Sequence, residues 1–176
     1  QTPPNLIKHM LLTAAVGQQL VVNWTETAIR PQLVIATLLT HDLGNIVNFN
    51  LDSAFSKKIW PQNIDLDYWK QVQKKFKKKY SSNAHQANIA ILKEAKLPQA
   101  MIELMTTHSF EQLPQLLKNQ AWEHLICLYA DLRIGPFGLI SIEQRLSDLK
   151  NRYQQNDSSW KKPTVYQQRL DLSWQM

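Results

Sequence analysis

Apolar and small residues recur at helical spacing from the start of the chain. Leu6, Met10, Thr13, Ala14, Gly17 and Val21 trace one stripe, which predicts a first helix running to about Trp24. Arg30-Pro31 suits the start of a second helix, because proline is tolerated in a first turn. From Leu33 to Leu39 that helix is almost wholly apolar, the pattern of a helix buried in the middle of a bundle, and it is expected to run from Gln32 to about Val47. Phe49 to Ile64 lacks a clear period and reads as a loop, with a short helix around Ser53 to Trp60. Asp65 caps a helix over Leu66 to Tyr80, and Ser81-Ser82-Asn83 caps another over Ala84 to Lys96. Leu97-Pro98 breaks it, and a further helix follows from Gln99 to about Thr107. Phe110 to Asn119 is a short helical connection, and Ala121 to about Ile134 a buried helix stopped by Gly135-Pro136-Phe137-Gly138. Ser141 then caps an amphipathic helix to about Tyr153, with Ile142, Leu146 and Leu149 inward. The tail, with Trp160, Tyr166 and Trp174, is expected to pack back through a last short helix. The pattern predicts an all-α bundle of about seven main helices. It is expected to be one domain over 1–176, with its core at 6–153 and an extension at 154–176.

Composition narrows this reading. A chain of 176 residues suits one domain around a single core. Only 4 glycines and 8 prolines suit helices joined by short loops and argue against an all-β chain. No apolar run approaches the ~18 residues of a membrane span, so no membrane partner is expected. The N-terminus, Gln1-Thr2-Pro3-Pro4, lacks a basic region followed by an apolar core, so no signal peptide is expected. The single Cys127, among apolar neighbours, reads as a core residue in a reducing compartment, with the cytoplasm as the default. A net charge of +6 favours anionic ligands, either phosphorylated substrates or nucleic acid. The run Lys74-Lys75-Phe76-Lys77-Lys78-Lys79 reads as a solvated face or as a basic collar beside a site. Its Phe76 and Tyr80 suit core packing better than base stacking, which makes nucleic acid the less favoured partner.

Histidine is scarce, with 5 in the chain, and four of them fall at predicted helical positions: His9, His41, His85 and His108. An aspartate follows His41 directly, as Asp42, and Asp131 lies inside the apolar segment Trp122 to Asp131. Alone, His9 reads as a buried histidine bonded to a carbonyl; in company with His41-Asp42 it reads as a ligand. Adjacent residues on a helix point about 100° apart, so His41 and Asp42 could share an ion only if it sat between their directions. His124 would stand ~10 Å along the axis from Asp131, too far to share its ligands.

The ordered set His9, His41-Asp42, His85, His108, Asp131 resembles the HD-domain metal-dependent phosphohydrolases in their two-metal variant, over roughly Leu6 to Tyr153. The stretches Tyr129 to Arg133 and Glu143 to Leu146, with Arg152-Tyr153, also resemble a pattern recurring in a subset of HD proteins. The resemblance implies that His9, His41, Asp42 and Asp131 hold one metal, and that Asp42 bridges to a second held by His85 and His108. Imidazole and carboxylate suit Fe, Mn, Co, Ni or Zn, and the absence of thiolate ligands argues against a structural zinc site. Two divalent transition metal ions would lower the pKa of a bridging water, giving hydroxide that hydrolyses a phosphate mono- or diester, expected to be a nucleotide. On that reading Asp42 and His41 are catalytic. Where the family often carries a lysine after the glycine, this chain has Asn45, so phosphate must find charge elsewhere. Arg133 is the first candidate and the Lys74 to Lys79 run the second, while a structural salt bridge explains Arg133 equally well. Two other classes share the scaffold: HD-fold di-iron oxygenases, and non-catalytic HD modules that bind a nucleotide.

Overall fold

The computed structural model describes residues 1–25, 28–53, 58, 60–61, 63–153, 169 and 171. Among these, eight helices make the chain all-α: α1 (Pro4–Val22), α2 (Pro31–Leu38), α3 (Leu66–Lys79), α4 (Ala84–Glu94), α5 (Gln99–Thr106), α6 (Leu113–Lys118), α7 (Trp122–Leu132) and α8 (Ile142–Tyr153). The expected helix at Ser53 to Trp60 lies largely outside the described residues, as do Trp160, Tyr166 and Trp174 of the tail. No helix among the described residues is long and apolar enough to cross a membrane.

The predicted stripe of α1 is its buried face: Leu6, Met10, Thr13, Ala14, Gly17 and Val21. It packs against α2 and α7 in a core of Ala14, Val21, Val34, Leu38, Ile126, Cys127 and Ala130. Gly17 faces the Leu38 side chain so closely that a Cβ there would overlap it. The small residue draws α1 and α2 together, and with them His9 and His41. A second cluster joins Ile46 and Val47 to Trp69 and Val72 of α3 and to Ala84 and Ala87 of α4, with Phe76 and Tyr80 packed against it. These two aromatics of the lysine-rich helix therefore face the core, as their spacing predicts.

The helix starts follow their sequence signals. Asp65 accepts from the Tyr68 N–H at 2.9 Å, and Asn83 accepts from Gln86 at 3.0 Å. At α8, Ser141 Oγ accepts from the Gln144 N–H at 3.2 Å while Gln144 Oε1 accepts from the Ser141 N–H at 3.0 Å. This reciprocal pair satisfies two donors that a helix start otherwise leaves open. After α7 the chain forms a small hairpin of β1 (Ile134–Gly135) and β2 (Gly138–Leu139), with Ile134 opposite Leu139. Pro136 and Phe137 make its turn, between the paired Gly135 and Gly138. Gly138 takes φ +138, a backbone conformation that favours glycine.

The largest departure from expectation falls at the site. The helix predicted to reach Val47 ends at Leu38, and residues 39–44 turn before a single 3-10 turn at Asn45–Asn48. Two side chains account for it. Thr40 Oγ1 donates back to the carbonyls of Ala36 and Thr37 at 2.9 and 3.1 Å, competing with the helical ladder. His41 Nδ1 bonds the Leu38 carbonyl at 2.6 Å. In a continuing helix that carbonyl would receive the Asp42 N–H. The backbone instead forms bonds three residues apart, Thr40 N–H to Thr37 O at 3.0 Å and Asn45 N–H to Asp42 O at 2.9 Å.

Candidate metal site

Unwinding after Leu38 changes where His41 and Asp42 point. Neighbours that would diverge on a helix now converge, with His41 Nε2 3.8 Å from Asp42 Oδ2. His9, in the second turn of α1, brings Nε2 to 3.3 Å from His41 Nε2 and 3.5 Å from Asp42 Oδ2. Asp131, in the last turn of α7, brings Oδ1 to 3.1 Å from His9 Nε2 and 3.6 Å from His41 Nε2. Two carboxylates from separate parts of the chain thus lie against the same pair of imidazoles, His9 and His41. His41 is buried, and His9, Asp42 and Asp131 are partly so.

The donor chemistry of this cluster suits a cation. A carbonyl can only accept, so His41 Nδ1 carries the proton in its bond to Leu38. In its neutral form His41 therefore turns the lone pair of Nε2 toward His9, Asp42 and Asp131. Lone pairs facing one another at these distances must be bridged by protons or by a metal. A regular tetrahedron with edges of about 3.5 Å has its centre roughly 2.1 Å from each corner, the length of a metal bond to imidazole nitrogen or carboxylate oxygen. The separations that involve His9 or His41 lie between 3.1 and 3.8 Å. His9, His41 and Asp42 meet the spacing expected of metal ligands, and Asp131 of α7 lies against His9 and His41.

The electrostatics carry the same tension. Burial alone would lower the His41 imidazole, but the carboxylates of Asp42 and Asp131 outweigh it and raise it to about 9. Burial would raise the Asp131 carboxyl, yet His108, His41 and His9 hold it well below the usual carboxylate range. Without another cation the cluster holds a proton tightly on His41.

His108 joins from just beyond α5. Its Nε2 lies 3.7 Å from Asp131 Oδ2, and its ring centroid is 5.9 Å from that of His41. That Nε2 is buried and makes no hydrogen bond, so it too presents an unused ring nitrogen to the group. His85 is half-buried in the first turn of α4 and makes no hydrogen bond or ion pair among the described residues. Its helix reaches the site through Gly44, where a Cβ would collide with the backbone of Ala84 and Asn88, and through the Gly44 N–H donating to Asn88 Oδ1 at 3.2 Å. Five of the six expected ligands therefore come together, and His85 stands on the adjoining helix.

Arg133 takes a different place from the one its proximity in sequence to Asp131 suggests. Its Nε donates to the Ile140 carbonyl at 2.8 Å and its Nη1 to the Tyr129 hydroxyl at 2.9 Å. These bonds tie the end of α7 to the hairpin. The cation beside the cluster is Arg145 of α8, whose Nη2 lies 3.7 Å from Asp131 Oδ1. Its signal in the sequence is position: three residues past Ile142 and four before Leu149, a charged residue lies on the inward stripe of an amphipathic helix.

The remaining candidates are peripheral. Lys74, Lys75, Lys77 and Lys78 are exposed, and Lys79 pairs with Glu94 at 2.6 Å. His124 is half-buried in α7, and burial lowers its imidazole. Cys127 is buried in the α1–α2–α7 core, where burial pushes its thiol up. No family model, curated protein or solved structure matches the chain.

Proposed function

We propose that this protein is a metal-dependent phosphohydrolase of the HD-domain type, acting on a phosphate ester such as a nucleotide. The observation that carries the reading is the convergence of His9, His41 and Asp42 at 3.3 to 3.8 Å, with Asp131 at 3.1 and 3.6 Å from the two imidazoles. His9, His41, Asp42 and Asp131 would hold one divalent ion, and Asp42 with His108 and His85 a second. Ions bound there would supply a Lewis acid for a phosphoryl oxygen and would acidify a water.

The chain's own groups have separable tasks. The Leu38 carbonyl fixes the His41 tautomer, so that Nε2 keeps its lone pair turned inward. Asp131 lies against three imidazoles, with Oδ1 3.1 Å from His9 Nε2 and 3.6 Å from His41 Nε2, and Oδ2 3.7 Å from His108 Nε2. Asp42 brings a second carboxylate to the same point, and its partial exposure leaves an approach from solvent. His108 Nε2, buried without a hydrogen bond, can hold a proton or a ligand on the Asp131 side.

Elemental analysis of the purified protein, paired with a panel of phosphomonoesters and phosphodiesters, tests the reading. Bound Fe, Mn, Co, Ni or Zn and turnover that both vanish in Asp42→Ala support it. Protein that takes up none of these metals, or metal-loaded protein inert on every phosphate ester, overturns it.

A further inference from the structure

The cluster has one more charged neighbour than a metal site needs. Asp131 Oδ1, which faces His9 and His41, also faces Arg145 Nη2 at 3.7 Å. Arg145 Nη1 reaches Asp148 Oδ2 at 3.4 Å, and Arg152 Nη2 reaches the same oxygen at 2.6 Å. Two guanidiniums thus share the carboxylates of Asp131 and Asp148. The Arg145 side chain is 11% exposed, and its Nε is buried without a hydrogen bond.

Guanidinium stays charged at any physiological pH, so the balance along this row depends on Asp131. Were Asp131 to share its charge with a metal, Arg145 would keep Asp148, whose Oδ2 it shares with Arg152. The Arg145 guanidinium lies one carboxylate oxygen from the point where the imidazoles converge. Nη2 and the unused Nε lie on one edge of the guanidinium and form the two-donor fork that matches two oxygens of a phosphate. Asn45 supplies no charge, Arg133 is engaged with Ile140 and Tyr129, and the lysines of α3 are exposed to solvent.

From this geometry we infer that Arg145 is the anion-binding residue of the site, taking the non-bridging oxygens of a phosphate ester while the metal ligands hold the reacting side. This inference rests on the metal-dependent reading above. Arg152 acts through Asp148, by holding that carboxylate and leaving Arg145 to turn toward substrate.

The test uses inorganic phosphate as the probe. Wild-type protein and Arg145→Gln are loaded with Mn2+, freed of excess metal, assayed for bound metal and titrated calorimetrically with phosphate. Arg145→Gln is expected to keep the wild-type metal content and to bind phosphate at least about tenfold more weakly, from losing a charged two-donor contact. Arg145→Lys keeps the charge without the fork; it is expected to keep the metal and weaken phosphate roughly threefold or more. The lysine variant decides the matter if the glutamine variant does not fold. Unchanged phosphate affinity in a variant that still binds metal overturns the inference alone. Loss of metal in either folded variant also overturns it, because Arg145 would then serve to position Asp131. Wild-type protein that takes up no metal overturns the metal reading, and this inference with it.

Discussion

His9 and Asp131 meet at 3.1 Å although 122 residues separate them, joining the first helix to the seventh across the centre of the bundle. Both are oriented by helices packed on α2, so the contact needs neither residue to reach. As His9 is one of four converging donors, His9→Ala should lower metal affinity at least about tenfold while leaving the helical circular dichroism intact. Titration with a competing chelator measures this. Unaltered affinity would remove His9 from the ligand set.

Metal and proton compete for His41, which gives a pH dependence of definite sign. The folded imidazole lies near 9 against an ordinary 6.5. In metal-free protein its contribution to stability is complete below about 6.5 and fades as pH rises through about 9. The Asp131 carboxyl is held down, so its contribution is present above the ordinary 3.8 and fades as pH falls toward its folded value. Metal-free protein should therefore melt highest between these ordinary values and lose stability from neutral pH toward 9. Metal displaces the His41 proton, so affinity should climb over the same interval. Melting curves with and without chelator, taken from acid to pH 9, should diverge with rising pH. Parallel curves would be inconsistent with shared occupancy of His41.

The order of helices, the inward stripe of α1 and the caps at Asp65, Asn83 and Ser141 were legible because each depends on residues within one or two turns. That His41-Asp42 needs partners was legible because a buried pair of this kind is costly to leave alone; which residues supply them was read from the resemblance to HD-domain proteins. The unwinding after Leu38 was not. It depends on His41 taking a carbonyl from its own helix, and an apolar run up to Leu39 contains no sign of that competition. The hairpin after α7 was missed because its Gly and Pro residues also serve as stop signals. Arg145 was passed over in favour of Arg133, which is nearer to Asp131 in sequence; only the packing of α8 on α7 decides between them.

The two glycines that admit close helix contacts should differ in their tolerance of a methyl group. A Cβ at Gly17 meets the end of the Leu38 side chain, which can rotate away. A Cβ at Gly44 meets the backbone of Ala84 and Asn88, which cannot move without shifting α4. Gly17→Ala should cost about 1 kcal/mol and Gly44→Ala about 3 kcal/mol, the two ends of the overpacking range. Chemical denaturation of the two variants ranks them. The reverse order would mean that the Gly44 contact yields more easily than the side chain.

His85 decides the number of metal ions. It stands in the first turn of the helix that Gly44 touches, apart from the group at Asp131. If it serves a second ion with Asp42 and His108, His85→Ala should reduce bound metal from about two equivalents to about one, with the first site intact. Elemental analysis reads this directly. Two equivalents retained in the variant would exclude His85 as a ligand, and one equivalent in both proteins would make the centre mononuclear.

Arg133 separates a structural from a chemical use of an arginine near the site. Its Nε and Nη1 are spent on the Ile140 carbonyl and the Tyr129 hydroxyl, and its guanidinium lies 5.7 Å from the centre of the Tyr129 ring. These contacts hold the β1–β2 hairpin against the end of α7, the turn that carries Asp131. Hydrogen bonds from a charged donor contribute about 1.5–3 kcal/mol each, less what water restores at a half-exposed position. Arg133→Ala should therefore lower stability by about 1–2 kcal/mol and leave phosphate affinity of the metal-loaded protein within about twofold. Denaturation and the phosphate titration, run on the same preparation, separate the two effects. A stable variant that has lost phosphate binding would return the anion-binding role to Arg133 and leave Arg145 as the counter-charge of Asp131.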